Sequence, residues 1–350
     1  MRYNVVMNSK ITAMNMQFSL EFNKEWDRFL KSFDLDLSSA RQLHIGNHMR
    51  PQLVFWGYML RKDIFSHINY TEIARLAVSV EAIHKASVII DDIIDDDTKR
   101  RGEACMHRIY GEYQTVFFAV CMLAQSISQL VECLHSDRLE FQSNMIHVLC
   151  DTILSMCTGA IKEISASTEQ QVDLSYVQQI IDCETAQLIK NSLYVGFLAN
   201  DTQDNAVADI LCTIGSKCGY VFQVMNDLEP FCNPQYIKQY KGSINADVSR
   251  SRKSIILPHL YQACSPQEKE HLFAYITMQD SFDSILTLFN KYEIRAQTME
   301  ELEDIYNSIL TLLTDINNLG YGSWAEAFRV FVEFLRKKYM SVLYSGQKGD

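Results

Sequence analysis

Helix-breaking residues are rare along this chain, and that scarcity restricts the folds open to it. Only 13 glycines and five prolines occur in 350 residues. Such sparse punctuation suits long helices, whereas a sandwich of many strands needs frequent turns. Strand signals are nearly absent, so we predict an all-α protein. The helical segments expected from periodicity are 22–33, 50–68, 71–98, 112–136, 140–166, 172–200, 205–230, 251–262, 266–276, 279–291, 297–318 and 322–344.

No internal repeat, low-complexity linker or abrupt change of composition divides the chain. We therefore expect a single helical domain over residues 21–350, preceded by a loose N-terminal extension over residues 1–20. In a helical bundle, functional side chains can project inward from facing helices, and we expect carboxylates to do so in this one.

Charge and cysteine usage exclude several classes of protein. The net charge of −11 argues against nucleic-acid binding. Ten cysteines are scattered without CxxC spacing, which is typical of a reducing compartment rather than a disulfide framework. No uninterrupted apolar run reaches the length of a membrane span, and the first residues lack an apolar signal core. We expect a cytoplasmic protein without stable membrane insertion; the alternative for residues 1–17 is an organelle-targeting segment.

A cluster of carboxylates ends one apolar segment. Asp91 and Asp92 are followed at the next helical turn by Asp95, and Arg100-Arg101 closes the run. At about 100° per residue, Asp91 and Asp95 share one helix face. Mg²⁺ binds one or two carboxylates together with substrate phosphates, and arginine forks grip diphosphates. The pattern indicates a magnesium–diphosphate site; the alternative is a solvated acidic helix end followed by a basic turn.

A second polar cluster follows another apolar stretch. Asn226 and Asp227, with Glu229, could provide oxygen ligands from a facing helix. The basic residues downstream of them, which could clamp phosphates, are Lys238, Lys241, Arg250, Arg252 and Lys253. The alternative is an ordinary helix end with Pro230 as its stop and a solvated basic loop after it.

These motifs resemble those of the trans-isoprenyl diphosphate synthases, also called polyprenyl synthetases, over roughly residues 40–260. Asp91-Asp92-x-x-Asp95-x4-Arg100-Arg101-Gly102 is similar to the first aspartate-rich motif of that family. Gly46-Asn47-His48-Met49-Arg50-Pro51 resembles its Gly-Lys-x-x-Arg-Pro, and the stretch from Gly215 to Asp227 resembles the approach to its second aspartate-rich motif. The resemblance implies a single-domain, isoprenoid-synthase-type helical bundle that has a central active-site cavity and forms homodimers.

The resemblance also implies the chemistry. An allylic diphosphate is ionised, and the carbocation is attacked by a prenyl acceptor, usually isopentenyl diphosphate. Asp91 and Asp95 would bind Mg²⁺ (about two or three ions), Asp92 would support them, and Arg100 would hold the allylic diphosphate. The other assignments by position are Arg50, His84 and Arg101 for the acceptor diphosphate, Gln223, Arg252 and Lys253 for substrate, Asn226 and Asp227 for metal, and Ala86 and Ser87 for a chain-length pocket. The small side chains of this pocket imply a product of about C15–C20 or longer.

Four positions depart from the family pattern. Asn47 and Glu184 stand where the family has lysines for the acceptor and the allylic diphosphate, and Asn226 and Pro230 replace aspartates of the second motif. Three hypotheses follow: an active isoprenyl diphosphate synthase, a prenyltransferase or cyclase of the same fold that uses another acceptor, and a non-catalytic partner subunit. The possible other acceptors are an aromatic ring, an indole, a peptide side chain or the substrate's own double bond.

Overall fold

Long helices form nearly all of the chain that the structure, a computed structural model, describes. The described residues are 2–61, 67–132, 139–200, 204–233, 254–277 and 281–344. Within them, one short antiparallel hairpin is the only sheet. The predicted all-α bundle is confirmed. The proposed substrate contacts Arg252 and Lys253 lie outside the described residues.

The helices of the first part of the chain surround a central, mostly buried helix. That helix, α4 (Tyr70–Ile94), packs against α1, α3 and α6. The elements of this part are α1 (Arg2–Lys31), a 3-10 turn (Asp36–Ser39), α2 (Arg41–His44), α3 (Met49–Tyr58), α4, β1 (Lys99–Arg100), β2 (Glu103–Ala104), α5 (Met106–Tyr110), α6 (Glu112–Glu132) and α7 (Leu139–Ile164).

The second part of the chain completes the bundle, and its helix α10 packs against α3, α7 and α11. The elements of this part are α8 (Thr168–Gln171), α9 (Leu174–Ile181), a π turn (Asp182–Ala186), α10 (Gln187–Leu198), α11 (Asn205–Cys232), α12 (Ile256–Ala263), α13 (Pro266–Thr277), α14 (Phe282–Lys291), α15 (Ile294–Ile316), a second π turn (Asn317–Tyr321) and α16 (Gly322–Tyr344).

The N-terminal residues differ from the loose extension expected for 1–20. Residues 2–31 form one helix, and Phe18 is completely buried. The Phe18 ring stacks on Phe55 of α3 with 4.6 Å between the ring centroids. Phe22 and Trp26 continue the same buried face at helical spacing. That apolar stripe begins before residue 20, so the prediction of a loose segment there was wrong.

Two glycines let α3 and α10 pack backbone against backbone. A Cβ atom on Gly57 would lie 1.9 Å from the carbonyl oxygen of Leu193, and one on Gly196 would lie 2.0 Å from that of Val54. Both contacts are far inside van der Waals distance, so only glycine fits at either position. This contact fixes the helix that carries Arg50 against the segment that carries the π turn.

The π turn interrupts the helix expected over 172–200. The π turn at Asp182–Ala186 inserts one extra residue into a single helical turn. This insertion shifts the helical register of α10 relative to α9. The turn packs closely against α11, since a Cβ on Gly219 would lie 2.4 Å from the Cα of Ala186. It therefore offsets the side chains of residues 182–186 from the regular helical pattern directly beside α11.

Helices α6 and α7 leave an apolar surface uncovered. Phe117 on α6 and Leu154 and Ile161 on α7 are each about two-thirds exposed. By length and composition alone, Glu112–Glu132 and Asn144–Ile164 are two described segments able to cross a membrane. The sequence reading missed them because it sought uninterrupted apolar runs. Core helices of soluble proteins share this length and composition, and here α6 packs against α4 and α7 packs against α10.

Candidate active site

A short β-hairpin that carries Arg100 and Arg101 follows α4, and its two-residue turn determines where Arg100 points. Strands β1 and β2 pair antiparallel, with Arg100 opposite Glu103 and the two residues Arg101 and Gly102 between them. Both turn residues have positive φ, +56° and +81°. A two-residue turn of this kind matches the twist of the strands, and glycine adopts it without strain. The turn folds Arg100 back toward the carboxylates at the end of α4.

Arg100 forms ion pairs with three carboxylates, those of Asp91, Asp92 and Asp97. Its Nε donates to Oδ1 of Asp92 at 2.6 Å, and its Nη2 donates to Oδ2 of Asp97 at 3.2 Å. Nη2 also lies 3.5 Å from Oδ2 of Asp91. Burial raises the pKa of the Asp92 carboxyl, and Arg100 offsets that increase only in part. Burial would lower the pKa of Arg100, but the surrounding carboxylates raise it well above its ordinary value. The guanidinium is therefore the charge that balances this cluster.

Asp91 and Asp95 differ from Asp92 in exposure. The Asp91 side chain is 41% exposed, against 8% for Asp92. Asp95 is also partly exposed, and its backbone N–H donates to the carbonyl of Asp91 at 2.8 Å, closing the last turn of α4. Their hard carboxylate oxygens suit Mg²⁺. Among the described residues no three or more His, Cys, Asp or Glu side chains form a metal cage. An ion held here would complete its coordination with water and substrate phosphate oxygens, which fits this donor set.

The proposed contacts to the acceptor diphosphate converge. Nη1 of Arg50 lies 3.1 Å from Nε2 of His84, and the Arg50 guanidinium lies 5.7 Å from the centre of the Phe222 ring. Arg101 donates through Nη1 to the carbonyl oxygen of Ile45. The helices α3 and α4 and the hairpin thus bring these side chains, far apart in sequence, to one place.

The lowered pKa of His84 shows that the electrostatic potential around Arg50, His84 and Arg101 is positive. Burial and the charges of Arg50, Lys85, Arg101 and Arg100 hold the pKa of His84 well below its ordinary value. The imidazole is therefore neutral at neutral pH. A cluster of cations around a neutral histidine is suited to binding an anion, whose charge would offset their mutual repulsion.

Lys85 and Glu81 belong to the same network, and sequence reasoning gave neither a role. The Lys85 ammonium lies 3.9 Å from the Glu81 carboxylate, and both side chains are buried. His48 Nδ1 lies 3.5 Å from the same carboxylate. Burial would raise the pKa of Glu81, but His48 and Lys85 hold it below its ordinary value. The signal was available as a charged pair at i and i+4 within an apolar helix.

The second motif is held by hydrogen bonds that start in the π turn. Thr185 donates through Oγ1 to Oε1 of Gln223 at 2.9 Å, and Gln223 donates through Nε2 to Oδ1 of Asp227 at 2.7 Å. Oδ2 of Asp227 accepts from the backbone N–H of Ile255 at 2.8 Å. Each Asp227 oxygen thus already accepts a hydrogen bond, and the side chain is buried. Thr185 was not singled out, although it directly follows Glu184.

The other departures are also placed by the structure. Asn226 is exposed on α11, and Pro230 is buried inside the same helix rather than ending it. Glu184 lies in the π turn, where its Cγ would be 2.5 Å from a Cβ on Gly159 of α7. The glycine on α7 therefore makes room for the stem of Glu184.

The two residues proposed for the chain-length pocket lie in different environments. Ala86 is completely buried in the packed core of α4. Ser87 is only half-buried and donates through Oγ to the carbonyl of His84 at 2.8 Å. Ser87 shares the face of Asp91, one turn away. Of the two positions, Ser87 is the better placed to meet a chain that extends along that face.

An all-α bundle with aspartates at one helix end, an arginine hairpin and a cluster of cations around His84 defines a prenyltransferase of the isoprenoid-synthase type. Residues 37–290 match the family model described as polyprenyl synthetase. This match covers well over half of the chain, and the chain belongs to the polyprenyl synthetase family.

Curated relatives and solved structures agree with this assignment. A short chain isoprenyl diphosphate synthase of Methanocaldococcus jannaschii is 23% identical over 227 residues, 65% of this chain and 66% of that protein. Heptaprenyl diphosphate synthase component 2 of Bacillus subtilis is 24% identical over 95% of this chain and 94% of its own length. The crystal structure of a polyprenyl synthase from Caulobacter crescentus, complexed with calcium and isoprenyl diphosphate, has the same fold, with a TM-score of 0.75 at 19% identity over 93% of this chain and 96% of that one.

Proposed function

We propose that this protein couples an allylic diphosphate to isopentenyl diphosphate and releases a longer trans-polyprenyl diphosphate, of about C15–C20 or more, in a Mg²⁺-dependent reaction. The bond between the allylic carbon and its diphosphate breaks, a carbon–carbon bond forms to the acceptor, and the acceptor loses a proton. The observation that carries the proposal is the convergence of Arg50, His84 and Arg101 beside the aspartate-rich end of α4.

Each residue has a defined task in this proposal. Mg²⁺ bound by Asp91 and Asp95 would neutralise negative charge that develops on the leaving diphosphate. Arg100 would turn from the carboxylates toward that diphosphate and stabilise the same charge. Arg50 and Arg101, with His84, would orient the second diphosphate so that the acceptor's double bond faces the allylic carbon. The apolar surroundings would keep water from the carbocation.

The second candidate is a prenyltransferase or cyclase of this fold that does not use isopentenyl diphosphate. The hydrogen-bonded state of Asp227 and the exposed amide at Asn226 favour it, because the second motif then offers fewer charged oxygens to metal. A third candidate is one subunit of a synthase made of two different chains. The name of the Bacillus subtilis relative, "component 2", supports this candidate. The carboxylates retained in the first motif count against a subunit without catalytic function.

We also propose that the protein forms a homodimer through the apolar surface of α6 and α7, and that it resides in the cytoplasm. The exposed side chains of Phe117, Leu154 and Ile161 support the dimer, since a patch of this kind marks an interface. The free thiols of the described cysteines suit a reducing compartment. A double variant, Phe117→Glu with Leu154→Glu, should sediment as a monomer; a wild-type protein that is already monomeric at micromolar concentration contradicts the dimer.

The test of function uses the purified full chain with Mg²⁺ and geranyl or farnesyl diphosphate, with and without isopentenyl diphosphate, and mass spectrometry of the products. Elongated diphosphates support the proposal. Diphosphate release or a hydrocarbon product without elongation supports the second candidate. No turnover of either kind supports the third, and the Asp91→Asn variant controls for contaminating activity.

A further inference from the structure

The Asn47 side chain forms a hydrogen bond with the protein backbone. Its Oδ1 accepts a hydrogen bond at 3.3 Å from the backbone N–H of Met49, the first residue of α3. A short polar side chain in this place satisfies a donor that the start of a helix leaves without a partner. The amide at position 47 is neutral, so the loop that leads to Arg50 contributes no positive charge there.

The nearby positive charge comes from α4 instead. Lys85 is buried, with its Nζ donating to the carbonyl oxygen of Ile45 at 2.7 Å and to that of Gln42 at 3.2 Å. Ile45 is two residues before Asn47. Arg101 donates to the same Ile45 carbonyl from the hairpin. Two cations from separate elements therefore hold one carbonyl of the loop that precedes Arg50.

A buried ammonium is costly unless its surroundings compensate for it. The two carbonyls and the Glu81 carboxylate at 3.9 Å provide that compensation. Lys85 is also close enough to His84 to depress its pKa, so its charge is felt where the acceptor contacts converge. An apolar residue at position 85 would avoid the cost of burying an ammonium but would lose both the loop contact and the charge.

From this geometry we infer that Lys85 is the positioning residue of the acceptor-diphosphate site: it holds the 45–47 loop in place and supplies from within α4 the charge that Asn47 does not. The inference rests on the proposed function. It specifies how the same site keeps its affinity for an anionic acceptor.

The experiment compares Lys85→Met, Lys85→Arg and the double variant Asn47→Lys/Lys85→Met with the wild-type full chain. Binding of isopentenyl diphosphate is measured by calorimetry, and KM for each substrate is measured separately with Mg²⁺. We expect Lys85→Met to raise KM and Kd for isopentenyl diphosphate about tenfold or more, with KM for the allylic substrate nearly unchanged. Lys85→Arg should retain part of the affinity, and Asn47→Lys should restore part of it. Lys24→Met, on the surface of α1, is the matched control.

The pH profile gives a readout that a merely structural role would not change. Burial lowers the pKa of Lys85 to about 8. The other titratable groups around it are Glu81 and His84 on α4, His48 at the start of α3, Arg50 on α3, and Arg101 on the hairpin. In the wild type, kcat/KM for isopentenyl diphosphate should fall as the pH rises through about 8, where the ammonium is lost. That limb should be absent in Lys85→Met, which has no ammonium, and also in Lys85→Arg, whose guanidinium keeps its proton over the measured range.

The outcomes separate this inference from the proposed function. Elongation by the wild type together with unchanged affinity in Lys85→Met overturns the inference and leaves the function standing. Loss of affinity for both substrates in parallel with a lower Tm, without rescue by Asn47→Lys, also overturns it, because the role is then only structural. A wild type that neither binds nor consumes isopentenyl diphosphate overturns both.

Discussion

The guanidinium of Arg100 and the carboxylate of Asp92 form a buried ion pair, with Nε 2.6 Å from Oδ1, that joins the hairpin to the end of α4. The pair also separates the three aspartates of the motif by role. Asp92 is neutralised inside the protein, while Asp91 and Asp95 keep their oxygens nearer to solvent. A metal ion would therefore meet the two outer carboxylates.

Replacing Arg100 with Met should lower the free energy of unfolding by about 3–5 kcal/mol at neutral pH, because Asp92 and Asp97 would be buried without a cation. Urea denaturation measures this loss. The control Lys99→Met, an exposed residue of the same hairpin, should change stability by less than about 0.5 kcal/mol.

The loss in Arg100→Met should depend on pH. The pKa of Asp92 is already raised in the folded protein. A carboxyl with a raised folded-state pKa contributes stability that is fully present below its ordinary pKa of 3.8 and lost as pH rises through the folded-state pKa. Removing Arg100 raises that pKa further, so the deficit should be smaller at about pH 5 than at about pH 8. An equal deficit at both values would show that the lost interaction is not ionic.

Replacing Asp91 with Asn should weaken Mg²⁺-dependent binding of inorganic pyrophosphate and lower turnover about a hundredfold or more, since one charged oxygen ligand is lost. Calorimetry with pyrophosphate and Mg²⁺ measures the binding, and product formation measures the turnover. Asp96→Asn is the control, because the Asp96 side chain is 58% exposed and pairs with Arg108 instead. Equal losses in the two variants would remove Asp91 from the proposed metal site.

Replacing Ser87 with Phe should shorten the product, because an aromatic ring one turn from Asp91 would block the path of a growing chain. Mass spectrometry of the products measures the distribution, and Ser87→Ala should leave it unchanged. Ala86→Phe is a poorer test. Ala86 is completely buried, so overpacking should cost about 1–3 kcal/mol of stability whatever happens to the product. The same product from Ser87→Phe and wild type would place the chain elsewhere.

Replacing Glu184 with Lys should tighten pyrophosphate binding about tenfold, because the local charge becomes more positive by two units. Screening by salt should reduce the gain, which a titration at two ionic strengths would reveal. Glu169→Lys makes the same change of net charge on α8. An affinity that rises equally in both variants would mean that only the net charge matters, and that residue 184 lies outside the site.

Spacing along one helix predicted where the first carboxylates lie relative to one another. Asp91 and Asp95, one helical turn apart, are both partly exposed at the end of α4, whereas Asp92 is buried. The roles assigned to them in metal binding stay predictions. The helix ends earlier than expected, at Ile94 rather than residue 98, because Asp96 adopts a positive φ of 53°. The positive φ of Asp96 turns the chain toward the hairpin that follows, and the periodicity of apolar residues in α4 does not predict such a turn.

Features that depend on packing between distant segments were not predictable. The π turn at 182–186 needs the close contacts with Gly159 and Gly219, and neither is visible in the local sequence. The role proposed for Lys85 depends on its hydrogen bond to the carbonyl of Ile45, 40 residues away. The assignments to Arg252 and Lys253 stay predictions, since both lie outside the described residues.

The reciprocal contact of Gly57 and Gly196 has a consequence for the spacing of the two polar clusters. Arg50 lies on α3, and the π turn with Thr185 leads directly into α10. A larger side chain at either glycine would force these two helices apart, because its Cβ would lie about 2 Å from a backbone oxygen of the other helix. It would also move Arg50 away from Thr185 and from the Gln223 and Asp227 side chains that Thr185 supports. Two residues without side chains thus set the distance between the side chains to which the chemistry is assigned.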